Sequence, residues 1–258
     1  MHDSARFPDH RRQVIRGRLL AGTPVLSADL AREFAVSEDA IRRDLRALAA
    51  AGLCQRVYGG ALPLSPATPA LSQRAGRNAT EKIALARAAL ALLRPGATVF
   101  LDASSTNLEL ARLIPEDRGL RVVTNAVLIA AALIDRPGLE TNLLGGRLNP
   151  HVGGAVDAGA IAALSDYRID LCCLGACACD PAQGLAGLDR DDVTFKRALL
   201  DSATETAVLL TRDKLGTAAP YRICALDRID HYVLAEAPPA FRAALDASGR
   251  RLLIAPLP

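Results

Sequence analysis

A run of small hydroxyl residues follows one of the apolar segments of this 258-residue chain. Residues 98–101 predict a buried strand, and the residues that follow it are Asp102, Ala103, Ser104, Ser105 and Thr106. Hydroxyl groups and free backbone N–H groups at the start of a helix can hold a phosphate. The same residue types also cap helices, and by themselves they favour plain capping by Ser105 or Thr106 about two to one. Both interpretations stay open at this turn.

Two further loops carry small polar or glycine residues where strands are predicted to end. Thr124-Asn125 closes the apolar run 120–124, and Gly145-Gly146 follows the run 140–144. Open α/β sheets bind ligands in the crevice beside the carboxyl ends of their strands. A Gly-Gly pair after a strand is usually only a turn. Three loops at the same end of one sheet nevertheless predict a ligand site there.

One face of a predicted helix near the N-terminus carries Arg42, Arg43 and Arg46. The opposite face has apolar residues at i, i+4 and i+7, namely Ile41, Leu45 and Leu48. Ser37 can cap this helix, which we expect to end at Gly52. In a helix-turn-helix, the first turn of the recognition helix meets base edges, and here that turn is Glu38-Asp39-Ala40.

The elements around this helix complete a winged helix-turn-helix. A first helix is predicted at 12–21, and a second at 28–34 is capped by Ser27 and joined to the third by a tight turn. A strand at 53–57 runs into a glycine-closed hairpin tip at 56–61. The expected DNA contacts are Ser27, Ser37, Glu38, Asp39, Ala40, Arg42, Arg43, Arg46, Arg56 and Tyr58. A small interaction domain with a solvated arginine face is the alternative, at roughly one in ten.

Four of the six cysteines cluster within eight residues, at Cys172, Cys173, Cys177 and Cys179. Thiolates bind zinc or copper(I), so a metal or redox sensor is one hypothesis. Neighbouring residues on a strand point to opposite faces, however, and the spacing is not that of a structural zinc site. Buried packing is the favoured interpretation, at roughly 80%. We expect no metal and no cofactor.

The rest of the chain predicts a mostly parallel sheet covered by helices on both faces. Asn78 and Glu81 resemble a capping box that opens a helix ending at Arg94. A last helix is expected at 239–247 and a last strand at 252–255. The predicted strands between them are 98–101, 120–124, 140–144, 171–174, 207–210 and 231–234.

These patterns divide the chain into two domains of α/β class overall. Residues 1–64 form the predicted DNA-binding domain, residues 65–79 a linker rich in proline and small residues, and residues 80–258 an α/β domain with the predicted ligand site. The first 64 residues contain ten arginines and seven acidic residues, so they carry the whole net charge of +3. That asymmetry indicates a small basic module beside a neutral one.

Composition indicates an ordinary globular chain, with 50% hydrophobic and 23% charged residues. No stretch of 18 residues lacks a charge, and the first residues lack the pattern of a secretory signal. We therefore expect a cytoplasmic protein with reduced thiols and no membrane partner.

Several of these segments resemble the DeoR family of bacterial transcriptional repressors. The N-terminal segments that carry the resemblance are 30–37, 41–45 and 56–61, and the similarity continues to about residue 236. It implies a winged helix-turn-helix followed by a Rossmann-like, isomerase-like sensor domain. This second domain, residues 80–258, would bind a phosphorylated sugar or similar metabolite and oligomerise. Two residues depart from the family pattern: Ala40 stands where threonine is usual, and Tyr58 where histidine is frequent.

The resemblance also adds residues to the expected effector site. Gly175 matches a family position, as does Lys196, although Asp192 replaces a glutamate four residues before that lysine. Lys196 can pair with a phosphate or with Asp192 one helical turn back. Lys214 lies in a matching segment next to Asp213, which can neutralise it. The full expected set is Asp102, Ser104, Ser105, Thr106, Thr124, Asn125, Gly145, Gly146, Gly175, Asp192, Lys196 and Lys214.

Three functions follow from these residues. The first is a DNA-binding repressor of a carbohydrate operon, working as a homo-oligomer (dimer or tetramer) on double-stranded operator DNA under control of a phosphorylated sugar. The second is an isomerase-type enzyme in which Asp102, Asp192 and Lys196 supply acid–base groups. The third is a thiol or metal sensor built on the cysteine cluster. We favour the first at very roughly 90%, and thus a protein that is not an enzyme.

Overall fold

The N-terminal helices fold around a small apolar core. The structure, a computed structural model, describes residues 8–65, 67 and 70–258. The core holds Ile15, Leu19, Leu30, Ile41 and Leu45. The elements are α1 (Pro8–Leu20), β1 (Val25–Leu26), α2 (Ser27–Glu33), α3 (Glu38–Ala50), β2 (Gln55–Val57) and β3 (Gly60–Leu62). The strands pair antiparallel in the order β1-β3-β2, so the predicted winged helix-turn-helix is confirmed.

A short helix and a long one lead from β3 into the second domain, which is built on a parallel sheet of seven strands. The first elements after the wing are α4 (Leu71–Ala75), α5 (Ala79–Ala89), β4 (Thr98–Leu101), α6 (Ser105–Leu113), β5 (Arg121–Thr124), α7 (Val127–Leu133) and β6 (Glu140–Leu143). They are followed by β7 (Leu148–Asn149), β8 (Gly154–Ala155), α8 (Ala158–Ala163), β9 (Ile169–Leu174), β10 (Ala178–Asp180) and β11 (Gly184–Gly187). The last are α9 (Arg190–Ser202), β12 (Ala203–Leu210), β13 (Tyr221–Cys224), β14 (His231–Leu234), α10 (Pro239–Ala247) and β15 (Arg251–Ile254).

The large sheet has the strand order β15-β14-β12-β9-β4-β5-β6, and every neighbouring pair in it is parallel. Its central strands are buried because helices cover both faces. The predicted α/β class is therefore confirmed. Two smaller antiparallel sheets, β7-β8 and β10-β11-β13, were not predicted, since their strands are short.

Two predicted helix caps were wrong. Leu26 occupies the N-cap position of α2, and Ser27 is the first helical residue. The Ser27 N–H donates to the Gly59 carbonyl at 2.7 Å, because the wing closes against the start of this helix. At α6 the cap is Ser104, whose hydroxyl accepts from the Asn107 N–H at 3.0 Å, rather than Ser105 or Thr106.

The predicted capping box of Asn78 and Glu81 does not form either. Asn78 precedes α5 in a left-handed conformation, with φ of 53°, and makes no side-chain cap. Its amide donates to the Asp213 carboxylate at 2.9 Å, and the Glu81 carboxylate accepts from the Arg212 N–H at 2.8 Å. Both side chains therefore hold a distant loop. The helix also ends before Arg94, at Ala89, followed by a 3-10 turn.

The segment predicted as a linker packs on the sheet domain. It contains α4, whose Leu71 is buried and donates its N–H to the His151 carbonyl at 3.3 Å. A Cβ on Gly153 would come within 2.7 Å of the Leu71 side chain, so that glycine makes room for it. Residues 1–7 of the predicted first domain and Pro66, Thr68 and Pro69 of the predicted linker lie outside the described residues.

The clustered cysteines pack mainly in the core. Cys172 and Cys173 lie in β9 and Cys179 in β10, all fully buried, while Cys177 is half-buried. Burial raises the pKa of the Cys173 thiol to about 12, which suppresses the thiolate that metals and oxidants need. Within the described residues, no cluster of histidine, cysteine or acidic groups is arranged to hold a metal. None of the described helices is long and apolar enough to span a membrane.

Candidate functional site

The exposed face of α3 carries three arginines in the arrangement that the sequence predicts. Ile41, Leu45 and Leu48 turn inward, while Arg42, Arg43 and Arg46 are exposed. Ser37 caps the helix, its hydroxyl accepting from the Ala40 N–H at 3.3 Å. The helix is thus anchored by its apolar face and presents the arginines outward.

Arg42 is already paired within the helix. Its guanidinium donates to Glu38 at 2.9 Å and to Asp39 at 3.0 Å. Both partners are exposed, so these ion pairs are weak and can be exchanged for phosphate contacts. Arg43 and Arg46 have no side-chain partner among the described residues and present their charge directly.

A groove between α3 and the wing brings the two halves of the predicted DNA surface together. We call it the arginine groove; it is lined by Ser27, Glu38, Arg42, Arg56 and Tyr58. Tyr58 stands fully exposed at the wing tip, whereas Ser27 is buried at the base. Arg43 and Arg46 lie on the same helix outside the groove. A duplex lying along α3 would meet the arginines and the wing tip together.

A buried ion pair that the sequence reasoning missed holds α3 in place. The Arg11 guanidinium in α1 donates to the Asp44 carboxylate at 2.5 Å, and both side chains are at least 93% buried. Asp44 lies on the inner side of the arginine-bearing helix. The sequence signal for a buried carboxylate was the position of Asp44 between two apolar core residues, Ile41 and Leu45.

The carboxyl ends of β4 and β9 form a first pocket in the sheet domain. This inner pocket is lined by Ser104, Gly175, Cys177, Asp189, Asp192 and Lys196, among others. At its base the Lys196 ammonium contacts Asp102 at 3.1 Å and also donates to Asp192. The three groups proposed for an isomerase are therefore brought together, and Lys196 binds both carboxylates instead of one.

Asp102 is fixed by the strand ends around it. Its carboxylate accepts from the Gly175 N–H at 2.7 Å, and Asn107 donates to the Asp102 carbonyl at 2.9 Å. A Cβ at Gly175 would lie 2.9 Å from the Ser104 Cβ, so only glycine allows this close approach. The other carboxylate oxygen of Asp102 is buried without a hydrogen-bond partner in the described chain.

Burial and neighbouring charges shift the pKa values of Asp192 and Lys196. Burial raises the pKa of Asp192 to about 6, against the opposing effect of Lys196. The pKa of Lys196 is raised despite burial, because Asp102 and Asp192 favour its charged form. The two carboxylates thus favour the charged form of Lys196. Such a mixed lining provides hydrogen-bond donors and acceptors for hydroxyl groups.

A second pocket adjoins the first and is rich in cations. This outer pocket is lined by Arg74, Arg77, Lys82, Ser105, Thr211, Asp213 and Lys214, and it shares Arg74 and Ala67 with the inner pocket. Lys82 and Lys214 are 4% and 6% exposed. The sequence contains only three lysines, Lys82, Lys196 and Lys214, and all three line these pockets.

Four cations line the outer pocket against one lining carboxylate, Asp213, so its cations are only partly neutralised. The Lys214 ammonium donates to the Ala176 carbonyl at 2.9 Å, and the Lys82 ammonium donates to the Arg74 carbonyl. The Arg74 Nε is buried without a partner in the described chain. Burial, Lys214 and Arg74 lower the pKa of Lys82 to about 8, and burial likewise lowers the pKa of Lys214. A bound anion would relieve both desolvation and repulsion.

The sequence suggested that Asp213 neutralises Lys214, but the two side chains do not pair directly. The Thr211 hydroxyl donates to Asp213 at 2.6 Å, and Asn78 donates to its other oxygen. Two neutral donors therefore satisfy this carboxylate, and the Lys214 ammonium points to the Ala176 carbonyl. The aspartate shapes the loop around the lysine and acts on it only through its charge.

Other residues of the predicted site shape the loops. The Thr124 hydroxyl donates to the Leu101 carbonyl at 2.6 Å. Asn125 accepts from the Ala103 N–H and donates to the Ala155 carbonyl. Thr106 is buried beside the cap. Gly145 and Gly146 are exposed beyond the edge strand β6 and line neither pocket.

Sequence reasoning missed Arg74, Arg77 and Lys82, which lie in or just after the predicted linker. Their spacing matches no binding motif, because α4, the start of α5 and the loop 211–214 meet only in the folded chain. A local signal existed in the rarity of lysine, since arginine supplies nearly every other cation.

Known protein families match both domains. A model described as the DeoR-like helix-turn-helix domain matches residues 11–67, and one described as the DeoR C terminal sensor domain matches residues 77–236. The glycerol-3-phosphate regulon repressor of Escherichia coli (strain K12) is 30% identical over 83% of this chain and 85% of its own. The transcriptional repressor GlcR of Bacillus subtilis (strain 168) is 31% identical over 85% of each chain.

Among solved structures, ribose 5-phosphate isomerase A from Methanocaldococcus jannaschii is similar over 52% of this chain and 53% of that chain, with a TM-score of 0.39 and 18% identity. The family models and the sequence relatives are those of DNA-binding transcriptional regulators and not of enzymes.

Proposed function

Because the chain belongs to the DeoR family of transcriptional regulators, we propose that it represses genes of carbohydrate metabolism and that a phosphorylated sugar or related metabolite controls its binding to operator DNA. One relative is named for a glycerol-3-phosphate regulon, which supports a small phosphorylated metabolite as the class of effector. The observation that carries this proposal is the outer pocket with its only partly neutralised cations.

The phosphate group of the effector fits the outer pocket. Lys82, Lys214 and Arg74 supply three cations, and the N-terminal end of α6 adds backbone N–H groups and the Ser105 hydroxyl. A phosphate monoester is close to dianionic at pH 7, so it balances the cations that the described chain leaves only partly neutralised. The phosphate thereby stabilises the charged form of both lysines.

The remainder of the effector fits the inner pocket. Asp192 and Lys196 line it, and Asp189 adds a third charged group, which already accepts from the Asp192 N–H and the Asn149 amide. Carboxylates accept from hydroxyl groups, and an ammonium donates to them. A compound with a phosphate at one end and hydroxyl groups along its length would occupy both pockets.

Calorimetric titration of the whole protein tests this proposal. The panel pairs each phosphorylated sugar with its unphosphorylated form, and also includes glycerol 3-phosphate beside glycerol. We expect one phosphorylated compound to bind at least about 100-fold more tightly than its partner, as two charge-assisted contacts predict. A tight-binding sugar without phosphate, or a panel in which nothing binds, would contradict the effector class.

The DNA-binding half of the proposal uses two copies of the winged helix. Two copies, in a dimer or within a tetramer, would place their α3 helices in successive major grooves about 34 Å apart. A gel shift on the DNA upstream of the gene, with and without the compound found by calorimetry, measures this activity. A specific shift that the compound abolishes supports a repressor that its effector releases.

Arg43→Ala is expected to weaken operator binding without changing effector binding. If Arg43 contacts a phosphate, the slope of log affinity against log salt falls by about one. If it contacts a base edge, discrimination at one position falls by about 1–3 kcal/mol. Fluorescence anisotropy on operator and scrambled DNA separates the two cases. Arg87→Ala, an exposed arginine on α5, serves as the control, and equal affinities for both variants would place the recognition surface elsewhere.

Effector affinity is expected to fall by about tenfold between pH 7 and pH 9. The pKa of Lys82 is about 8 in the free protein, so the lysine is mostly charged at pH 7 and mostly neutral at pH 9. The ligand's phosphate, with a second pKa of about 6, keeps its charge over this range. Calorimetry at several pH values measures the trend. Lys82→Arg should flatten it, and an unchanged slope in that variant would assign the titration to another group.

A further inference from the structure

The segment between the wing and α5 lies against both pockets. Its described residues, 63–65, 67 and 70–75, are here called the strap. Ala67 and Arg74 of the strap line the inner and the outer pocket alike. Because the strap begins directly after β3 of the wing, its two ends belong to the DNA-binding domain and to the effector site.

Main-chain hydrogen bonds fasten the first part of the strap to the sheet domain. The Ala218 N–H donates to the Pro63 carbonyl at 2.9 Å, and the Ser65 N–H donates to the Ala218 carbonyl at 2.9 Å. Ala218 follows the loop that carries Lys214, and the Thr217 hydroxyl donates to the Lys214 carbonyl at 2.8 Å. The exit of the wing is therefore bonded to the loop that supplies a cation to the outer pocket.

The Ser65 side chain ties the strap to the wall of the inner pocket. This buried hydroxyl donates to the Cys177 carbonyl at 2.7 Å and accepts from the Ala67 N–H at 3.0 Å. Cys177 and Ala67 both line the inner pocket. One hydroxyl thus joins two pocket residues to the chain that leaves the wing.

The far end of the strap lies among the cations of the outer pocket. The Lys82 ammonium donates to the carbonyl of Arg74, whose own Nε lacks a partner in the described chain. An anion that draws in the Arg74 guanidinium and the Lys82 ammonium acts directly on α4.

We propose that the strap transmits occupancy of the effector site to the wing, and that Ser65 is the positioning residue on which this transmission depends. The inference rests on the proposed function, since it assumes that an anion occupies the outer pocket. The described contacts connect the loop of Lys214 through Thr217 and Ala218 to Pro63, Ser65 and β3. Binding of the effector then alters the position of the wing relative to α3 and weakens its fit to DNA.

Hydrogen exchange of the whole protein, with inorganic phosphate as the probe and chloride at equal ionic strength as the blank, tests the connection. In the wild type we expect phosphate to slow exchange at the start of α5, in residues 211–217 and in β3. In Ser65→Ala the first two responses remain, and the response of β3 falls to less than half. Ser65→Thr, which keeps the hydroxyl, restores it.

A matched control separates this effect from a general loss of stability. Ser202→Ala also removes a hydroxyl bonded to a carbonyl, that of Ala198, but in α9 away from the strap, and it should leave all three responses unchanged. Two results would overturn the transmission through the strap while leaving the anion site intact. One is an undiminished β3 response in Ser65→Ala, and the other is a wild type protected at the outer pocket but not in β3. Absence of protection at the outer pocket would overturn the anion site and the inference together.

Discussion

Asp44→Ala is expected to lower the free energy of unfolding of the N-terminal domain by about 3–5 kcal/mol. The variant leaves the Arg11 guanidinium buried without the carboxylate that it now contacts at 2.5 Å. A domain of this size buries a modest core, so this loss is a large fraction of its stability. Since Asp44 also anchors α3 to α1, operator binding should fall together with stability.

Urea denaturation with hydrogen exchange of the α3 amides as the readout measures the free energy of unfolding of the N-terminal domain separately from that of the sheet domain. Glu33→Ala is the matched control, because it breaks the ion pair with Arg18 in the same domain, where both side chains are substantially exposed. That variant should cost less than about 1 kcal/mol. Equal losses in the two variants would show that burial adds nothing to the Asp44 pair.

Lys214→Met is expected to weaken effector binding by about 10- to 100-fold, the value of one charge-assisted hydrogen bond. In the free protein the same change should leave the free energy of unfolding equal or higher. The reason is that burial lowers the pKa of Lys214 in the folded state, so holding the charged form at pH 7 costs stability that methionine does not. Loss of ligand affinity without loss of stability distinguishes a binding lysine from a structural one.

Calorimetry with the compound identified from the panel gives the affinity, and thermal unfolding without ligand gives the stability. Arg87→Gln is the control, because this exposed arginine of α5 lines neither pocket. We expect it to change affinity by less than about threefold. A destabilised Lys214→Met protein with normal affinity would remove this lysine from the phosphate site.

Local patterns predicted the DNA-binding domain well. The stripe of Ile41, Leu45 and Leu48 and the cap at Ser37 depend on neighbours within two helical turns, so their spacing in the sequence is sufficient. Ser27 was the exception, because its N–H at the start of α2 donates to the carbonyl of Gly59 in the wing, some thirty residues later in the sequence. The missed Arg11–Asp44 pair likewise joins residues far apart in the sequence.

The two pockets were only half predictable. The turn at Asp102 directly follows a strand, and Asp192 and Lys196 lie one turn apart on one helix, so local sequence was enough to group these residues, which the structure brings together. Arg74 and Lys82 joined the site through tertiary packing of a segment whose prolines and small residues predicted a linker. Asn78 and Glu81 matched a local motif but bind the loop 212–213, since a long-range partner was available to each.

The distribution of lysine has a consequence for chemical labelling. Apart from the N-terminal amine, this chain carries primary amines only at Lys82, Lys196 and Lys214, all of which line the two pockets. Any lysine that reductive methylation with ¹³C-formaldehyde modifies would therefore carry its NMR-visible methyl groups in one of these two pockets. Lys82, with its pKa of about 8, has a larger neutral fraction near neutral pH than an ordinary lysine, which favours its reaction. The protein thus carries its own spectroscopic reporters of ligand binding, without an engineered residue.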